Sequence, residues 1–183
     1  MIAEKELIIG CLKHDSKIQN LVYKTYGPKV FGICKRYMKD RERAEEMVMN
    51  TFLTVFQKTN QFKNQGSFEG WILRIAVNSC LMELRKKTNF ENEYPVETMQ
   101  STIENEVLDY LDGNDIEKML QLLPEGARII FNLYAMEGYK HSEIAEKLNV
   151  SEGTSKSQLN YAKEKLKKIV MHFDQSKITN YGR

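Results

Sequence analysis

Hydrophobic residues recur along most of this chain at the three- and four-residue spacing of amphipathic helices. The clearest case is 44–58, where one side of the predicted helix is apolar. That stripe consists of Met47, Val48, Phe52, Val55 and Phe56. No run of alternating β-branched residues competes with the helical pattern, so the predicted fold class is all-α.

The same spacing predicts helices over 3–13, from Ser16 onward, over 67–87, over 116–123 and over 124–136. Gly27-Pro28 is expected to break or re-aim the chain, with Pro28 in the first turn of the next helix. Ser16 and Ser67 are predicted N-caps. The predicted buried positions are Trp71, Ile72, Ile75, Ala76, Ser79 and Met82 in 67–87, and Ile129, Ile130, Leu133 and Tyr134 in 124–136.

Charge divides the chain into three parts. Residues 1–87 hold sixteen Lys or Arg and nine Asp or Glu, 88–115 hold eight acids and no base, and 116–183 hold eleven bases and eight acids. We therefore predict two helical domains, 1–87 and 116–173, joined by a flexible acidic linker and followed by a tail at 174–183. The linker could hold a short helix at 103–111. Two basic blocks suit a polyanionic partner, although charge fluctuation alone would give the same division.

Several classes of function are disfavoured by composition. No apolar run approaches the length of a membrane span, and the N-terminus carries acids where a signal peptide is basic. Cys11, Cys34 and Cys80 lie too far apart for a zinc knuckle or a redox pair. We find no phosphate loop and no nucleophile–base pair. The prediction is a cytoplasmic protein that is not an enzyme, with no catalytic residue, metal, cofactor or small-molecule substrate.

Residues 142–161 have the pattern of a helix-turn-helix. A short helix over 142–148 is followed by Asn149, which tolerates a left-handed turn, and by Ser151, which can cap a second helix. Polar side chains are predicted to point away from the core stripe of that second helix: Thr154, Ser157, Gln158, Tyr161, Lys165 and Lys168, flanked by Lys156 and Asn160. A solvated helix face is polar too, but the complete arrangement favours DNA binding.

The predicted helix 67–87 carries a second stripe formed by Arg74, Asn78, Leu81 and Arg85, extended by Lys86 and Lys87. A polar loop between Phe62 and Phe68 precedes it. Such a surface could hold an unstacked base and its phosphates. From spacing alone, an amphipathic helix with a basic end explains the stripe equally simply.

Two stretches resemble extracytoplasmic-function (ECF) RNA polymerase sigma factors of the sigma-70 family. Domain two of that family is similar to RAEEMVMNTFLTVFQKTNQF and SFEGWILRIAVNSCLMELRKK. Domain four is similar to LLPEGARIIFNLYAMEGYKHSEIAEKLNVSEGTSKSQLNYAKEKL. The resemblance covers about 18–87 and 116–170 in the family's order. It implies a subunit that binds core polymerase, recognises promoter DNA as duplex and as melted non-template strand, and is held inactive by an anti-sigma factor.

The resemblance also implies roles for individual residues. Asn78 would hold a base flipped from the minus-ten element, with Phe62 and Phe68 completing the pocket and Arg74, Arg85, Lys86 and Lys87 meeting phosphates. The minus-thirty-five element would meet Thr154, Lys156, Ser157, Gln158, Asn160 and Tyr161, with Gln158 suited to adenine. Polymerase would contact Arg41, Glu45, Glu46 and Asn50. Met49 and Asn50 replace the Gln and the acid that are common in the family. The alternative is a stand-alone helix-turn-helix regulator that binds duplex DNA without polymerase.

Overall fold

A computed structural model of the protein describes the backbone of residues 3–38, 40–87 and 116–180, and the side chains within these ranges except those of 87, 116, 117 and 173–180. The predicted linker, with its helix at 103–111, lies outside the described residues. The chain divides into two compact units, Met1–Lys86 and Lys87–Arg183. Every regular element in the described ranges is helical, which confirms the predicted all-α class.

The described residues of the N-terminal unit form four α-helices and one short 3₁₀ helix. They are α1 (Glu4–Leu12), α2 (Ser16–Tyr37), α3 (Arg41–Lys58), the 3₁₀ turn Thr59–Gln61 and α4 (Phe68–Lys87). Helices α2 and α3 pack along each other, and α1 packs on α2. Gly10 allows this close approach, because a Cβ there would lie 2.6 Å from the Ile18 side chain. The apolar stripe predicted for α3 is confirmed for Met47, Val48, Phe52 and Val55, which are all buried.

The predicted break at Gly27-Pro28 is wrong, because α2 is continuous and contains Pro28. Proline disfavours the helical conformation of the preceding residue mainly through a clash with that residue's Cβ and amide. Gly27 has no Cβ, so this clash is reduced and the helix passes through. The cap of α2 also differs from prediction: the Asp15 side chain, not Ser16, accepts the amide hydrogens of Lys17 at 2.8 Å and Ile18 at 3.3 Å.

The buried face of α4 is rotated from the predicted one. Ile72 and Ala76 are buried as expected, but Met82 is 63% exposed, and Leu81 is buried although it was assigned to the exposed stripe. Helix α3 begins three residues earlier than predicted, since Asp40 accepts the Arg43 amide hydrogen at 2.7 Å and caps it. The predicted cap of α4 is confirmed: the Ser67 hydroxyl oxygen accepts the amide hydrogen of Gly70 at 3.0 Å.

The C-terminal unit contains α5 (Ile116–Gln121), α6 (Glu125–Phe131), a π-helical turn (Asn132–Met136), α7 (His141–Leu148) and α8 (Glu152–Asn180). Helix α8 packs against α6 and α7 and continues past 174, where the tail was predicted to start. The core of the C-terminal unit includes Leu120, Leu123, Ala127 and Ala162. Ile129, Ile130 and Leu133 are buried as predicted, whereas Tyr134 is 39% exposed.

No described helix combines the length and apolar character that a membrane crossing requires. The longest described helix, α8, is rich in lysine and has negative mean hydropathy.

Candidate nucleic-acid interface

The turn between α7 and α8 has the geometry of a helix-turn-helix. Asn149 ends α7 with φ 55° and ψ 51°, the left-handed conformation that was predicted for it. The Val150 amide then donates to the Ala145 carbonyl at 3.0 Å, which closes the helix end. Ser151 caps α8, because its hydroxyl oxygen accepts the Thr154 amide hydrogen at 2.9 Å. The path from the first helix into the second is thus fixed by one left-handed residue and two local hydrogen bonds.

The first turns of α8 present a polar surface. Lys156 and Asn160 are exposed, and three further predicted contact residues are half-buried: Thr154, Ser157 and Tyr161. The Ser157 hydroxyl donates to the Thr154 carbonyl at 3.0 Å, which leaves its lone pairs for an incoming donor. Lys156 lies 3.5 Å from Glu152, a loose pair on the same face. This surface offers donors, acceptors and a cation in the positions that face outward from the unit.

Gln158 does not belong to that surface. The expectation that it points away from the core is wrong, since only 1% of Gln158 is exposed, and the same holds for Lys165 at 8%. Both lie on the side of α8 that includes Ser155, Ala162 and Ile169, all fully buried. That side repeats at helical spacing but mixes polar with apolar residues. A side chain enclosed in this way cannot reach a base edge in the described conformation, so the adenine contact suggested for Gln158 loses its basis.

His141 joins the two helices of the motif. Its Nδ1 lies 2.9 Å from the Oγ atom of the buried Ser155, and its ring stacks on Tyr134 with a centroid distance of 4.6 Å. Lys163 places its ammonium 5.8 Å from the centre of the Tyr134 ring. Tyr134 is therefore exposed because it belongs to a surface cluster with His141 and Lys163. Through the contact of His141 with Ser155, this cluster links α7 to α8. The helical spacing alone predicts a core position for Tyr134, because its ring falls on the apolar stripe.

In the N-terminal unit, α4 carries an outward-facing polar row. Arg74, Asn78, Arg85 and Lys86 are all exposed. Positions 74, 78 and 85 are four and seven residues apart, which is close to one and two helical turns, so they share one face of α4. Lys86 also lies 3.3 Å from Glu83. Lys87 continues the helix, and its side chain lies outside the described set. The structure thus brings one amide and three cations together along α4.

An aromatic cluster lies beneath the loop that precedes α4. The centroid of the Phe62 ring lies 5.3 Å from that of Phe68 and 5.5 Å from that of Trp71. The Phe68 and Trp71 rings are stacked, with a centroid distance of 5.6 Å. Phe68 is fully buried, so the expectation that it faces a base is not supported. Phe62 is half-buried. The loop itself, 63–67, is exposed and includes left-handed Asn64 and Gly66.

The predicted partner-binding residues lie together on α3. Arg41, Glu45, Glu46 and Asn50 are exposed. Arg41 donates from Nε to Glu45 Oε1 at 2.7 Å, and this bond raises the pKa of the guanidinium above its ordinary value. The two charges therefore already satisfy each other on the surface.

Three exposed apolar side chains lie on the same part of the N-terminal unit, and of these the sequence had indicated only Met49, which replaces a Gln common in the family. They are Tyr23 at 45%, Met49 at 63% and Leu53 at 57% exposed. Met49 and Leu53 are four residues apart on α3, outside the predicted apolar stripe, so the spacing from Met49 could have identified Leu53 as well. We call Tyr23, Met49 and Leu53 the apolar patch.

The two units define a DNA-binding protein with two helical modules, and comparison with known proteins identifies its family. Sigma-70 region 2 matches residues 22–90, and Sigma-70 region 4 matches 113–166, about two thirds of the chain together. The chain is 21% identical to the RNA polymerase sigma-H factor of Pseudomonas aeruginosa, over 91% of this chain and 93% of that protein. It is 27% identical to the ECF RNA polymerase sigma-E factor of Haemophilus influenzae, over 89% and 93%.

Solved structures share the fold. The sigma factor RpoE in complex with the anti-sigma factor NepR from Bartonella quintana aligns with a TM-score of 0.52 at 19% identity, covering 83% of this chain and 96% of that one. CnrH in complex with the cytosolic domain of CnrY aligns with a TM-score of 0.51 at 16% identity, covering 92% and 97%. The chain belongs to the sigma-70 family, in its ECF group. It is accordingly a transcription initiation factor.

Proposed function

We propose that this sigma factor binds core RNA polymerase through α3, reads the minus-thirty-five element with α8 and traps the opened minus-ten strand against α4. The observation that carries the proposal is the pairing, in one chain, of a complete helix-turn-helix with the outward row of Arg74, Asn78 and Arg85. A regulator that binds only duplex DNA would need the helix-turn-helix but not the polar row on α4. We assign the polymerase and minus-ten roles to 1–87, the minus-thirty-five role to 116–173, and the tether between them to 88–115.

At the minus-thirty-five element, α8 would enter the major groove with its first turns. Lys156 and Asn160 are the exposed side chains best suited to base edges, because one is a cation and the other both donates and accepts. Thr154, Ser157 and Tyr161 lie beside them and suit phosphate or sugar contacts. His141 keeps this helix in register with α7 through its contact with Ser155.

At the minus-ten element, Asn78 would bind the Watson–Crick edge of one flipped base. Unstacking that base costs a few kcal/mol, which hydrogen bonds and stacking must offset. Phe62 at the loop edge is half-buried, and its ring contacts those of the buried Phe68 and the half-buried Trp71. Arg74, Arg85, Lys86 and Lys87 would follow the strand's phosphates.

The proposed role needs no chemistry from this chain, since polymerase performs nucleotide addition. We therefore propose a non-enzymatic subunit that acts in the cytoplasm, where its polymerase is found. Each module needs only modest affinity, because tethering raises the effective concentration of the second once the first has bound. The complex of RpoE with the anti-sigma factor NepR supports a protein inhibitor of the same kind for this chain.

Sequencing of bound genomic fragments separates the proposal from the regulator alternative. Fragmented DNA from the source genome is captured with the free protein, with core polymerase, and with both together. We expect little enrichment by the free protein and discrete enriched fragments with both, sharing two short elements at a fixed spacing. Strong enrichment by the free protein that core polymerase does not change would contradict the proposal and favour a stand-alone regulator.

A further inference from the structure

His141 is the first residue of α7, and the two nitrogens of its ring have different surroundings. Nδ1 lies 2.9 Å from the Oγ atom of the buried Ser155. Nε2 makes no hydrogen bond within the part of the chain that the structure describes, and it is not one of the buried polar atoms there that lack a partner. Nε2 of the half-buried ring therefore reaches solvent. One nitrogen is anchored, and the other is accessible to a ligand.

The contact with Ser155 is compatible with either charge state of the ring. A hydroxyl both donates and accepts, so Ser155 Oγ donates to an unprotonated Nδ1 or accepts from a protonated one. In the charged imidazolium both nitrogens carry a hydrogen. Uptake of a proton therefore preserves the anchor at Nδ1 and leaves a positively charged N–H donor at the accessible Nε2.

The elements that pack against α7 bring charges of both signs toward the ring. These elements are α8 and the π-helical turn, and the latter supplies Tyr134, which stacks on the ring. Three lysines and three glutamates flank the ring and its two contacts along these elements and α7 itself: Glu137, Lys140, Glu143, Glu152, Lys156 and Lys163.

Two of these carboxylates already have partners. Glu143 accepts the Lys140 amide hydrogen at 2.8 Å, and Glu152 lies 3.5 Å from Lys156. The six charges sum to zero. An arriving anion would therefore be the uncompensated charge at His141.

A DNA phosphate is the anion that the geometry of the motif brings to this corner. When a helix-turn-helix docks on duplex DNA, its second helix enters the major groove and its first helix crosses the sugar–phosphate backbone. His141 begins that first helix. It also contacts Ser155, which lies between Thr154 and Lys156 in the part of α8 proposed to meet the minus-thirty-five element. The ring is thus located where the groove-facing helix meets the backbone-crossing helix.

We propose that His141 binds a phosphate of the minus-thirty-five duplex through Nε2 and takes up a proton as it does so, which makes promoter binding stronger as pH falls from 8 to 6. The inference rests on the proposed function and goes beyond it, because none of the DNA contacts assigned there changes its charge in this range. Histidine is the side chain type whose charge changes between pH 5 and 8. A phosphate at Nε2 stabilises the imidazolium through charge and through a charge-assisted hydrogen bond. A complex that holds more protons than its free components gains affinity as pH falls.

A matched pair of histidine variants tests the proposal in holoenzyme assembled with the full-length chain. The probe is a short duplex that carries the upstream element of a promoter fragment captured by holoenzyme. Affinity is measured at pH 6, 7 and 8, each at several salt concentrations, for the unmodified protein, His141→Asn and His14→Asn. Asparagine retains a polar group that can reach Ser155 but does not titrate. His14 is an exposed residue of the N-terminal unit with φ 55°, a conformation that asparagine tolerates.

The first readout is the ratio of affinity at pH 6 to affinity at pH 8. We expect this ratio to be about 3- to 10-fold larger for the unmodified protein and His14→Asn than for His141→Asn. Each ratio compares one protein with itself, so a uniform loss of affinity in a variant cancels. The second readout is the slope of log affinity against log salt. This slope should be steeper at pH 6 than at pH 8 by up to about 0.9 in the unmodified protein, and equal at the two pH values in His141→Asn.

The possible outcomes separate this inference from the proposed function. Equal pH ratios for all three proteins, with tight binding by the unmodified holoenzyme, would overturn the inference and leave the proposed function standing. A pH effect that His141→Asn abolishes, without any change of salt slope in the unmodified protein, would assign protonation to the structure of the motif and would also overturn the phosphate contact. Failure of the unmodified holoenzyme to capture any fragment would refute the proposed function and this inference with it.

Discussion

His141 Nδ1 lies 2.9 Å from Ser155 Oγ, which links the first residue of α7 to the second turn of α8. Ser155 is fully buried and His141 is half-buried, so the contact lies inside the corner of the helix-turn-helix. Because Lys156 and Ser157 follow directly in the chain, this link sets the orientation of the side chains that are proposed to reach DNA.

Removing either partner should loosen the motif. We expect His141→Ala and Ser155→Ala each to lower the local free energy of opening by about 1 kcal/mol, the usual net contribution of one hydrogen bond. The double variant should cost less than the sum of the two, because the contact can be lost only once. Amide hydrogen exchange of α7 and α8 in the full chain measures all three. Strict additivity would show that the two residues do not interact.

Asn149 provides a second test of the turn. Its φ of 55° is unfavourable for most side chains but not for glycine. Asn149→Ala should destabilise the motif by about 1 kcal/mol, whereas Asn149→Gly should change it by only a few tenths. The same exchange measurement applies, with binding to minus-thirty-five duplex by holoenzyme as a functional readout. Equal losses for alanine and glycine would mean that the Asn149 side chain, not its backbone conformation, stabilises the turn.

The helix-turn-helix could be predicted from the sequence because its signals are local. Asn149 and Ser151 act within three residues of their own positions, and both were identified correctly. The burial of Gln158 and Lys165 could not be predicted in this way. When helix faces are assigned by apolarity, a buried polar residue is assigned to the exposed face. Their burial depends on the helices that pack against α8, which the local pattern of α8 does not contain.

Cys11 gives the N-terminal unit a specific pH dependence. Burial raises the pKa of its thiol from 9.0 to about 11, so the unfolded chain loses this proton first as pH rises. Near neutral pH the thiol does not change the free energy of unfolding. Between about pH 9 and pH 11 its ionisation in the unfolded chain lowers that free energy by up to about 3 kcal/mol. Burial, followed by the charges of Glu4 and Glu69, raises the pKa of Tyr26, which adds an effect of the same sign.

The comparison of Cys11→Ala with the unmodified chain isolates the thiol from Tyr26. Urea unfolding is followed by the fluorescence of Trp71, the single tryptophan of the chain, at pH 7, 9 and 10.5. We expect the unmodified chain to lose more stability than Cys11→Ala between pH 9 and 10.5. Parallel pH profiles for the two proteins would show that Cys11 ionises equally easily in the folded and unfolded chain.

Arg74 tests the electrostatic role of the α4 row. If it meets a phosphate of the melted strand, Arg74→Ala should weaken holoenzyme binding to a single-stranded minus-ten oligonucleotide. It should also reduce the slope of log affinity against log salt by about 0.7. Lys17→Ala removes an exposed cation from the first turn of α2 and serves as the control. An unchanged slope for Arg74→Ala would remove Arg74 from the phosphate path.

The α4 row could be predicted only in part from spacing. Arg74, Asn78 and Arg85 are exposed as expected, but Leu81 and Met82 exchange places because one residue shifts the helix face by about 100°. The aromatic residues next to the row show the same limit. Phe62 and Phe68 flank one loop in the sequence, yet the rings of Tyr26 and Trp71 enclose only Phe68 fully.

Start-site mapping by in vitro transcription tests the central claim most directly. Purified core polymerase transcribes fragmented genomic DNA alone, with the unmodified protein, with Asn78→Ala, and with Met82→Ala as an exposed control one turn away on α4. We predict discrete new start sites with the unmodified protein and Met82→Ala, and their loss or strong reduction with Asn78→Ala. New start sites that are equally strong with Asn78→Ala would contradict base capture by this residue, and no new start sites with the unmodified protein would contradict the whole account.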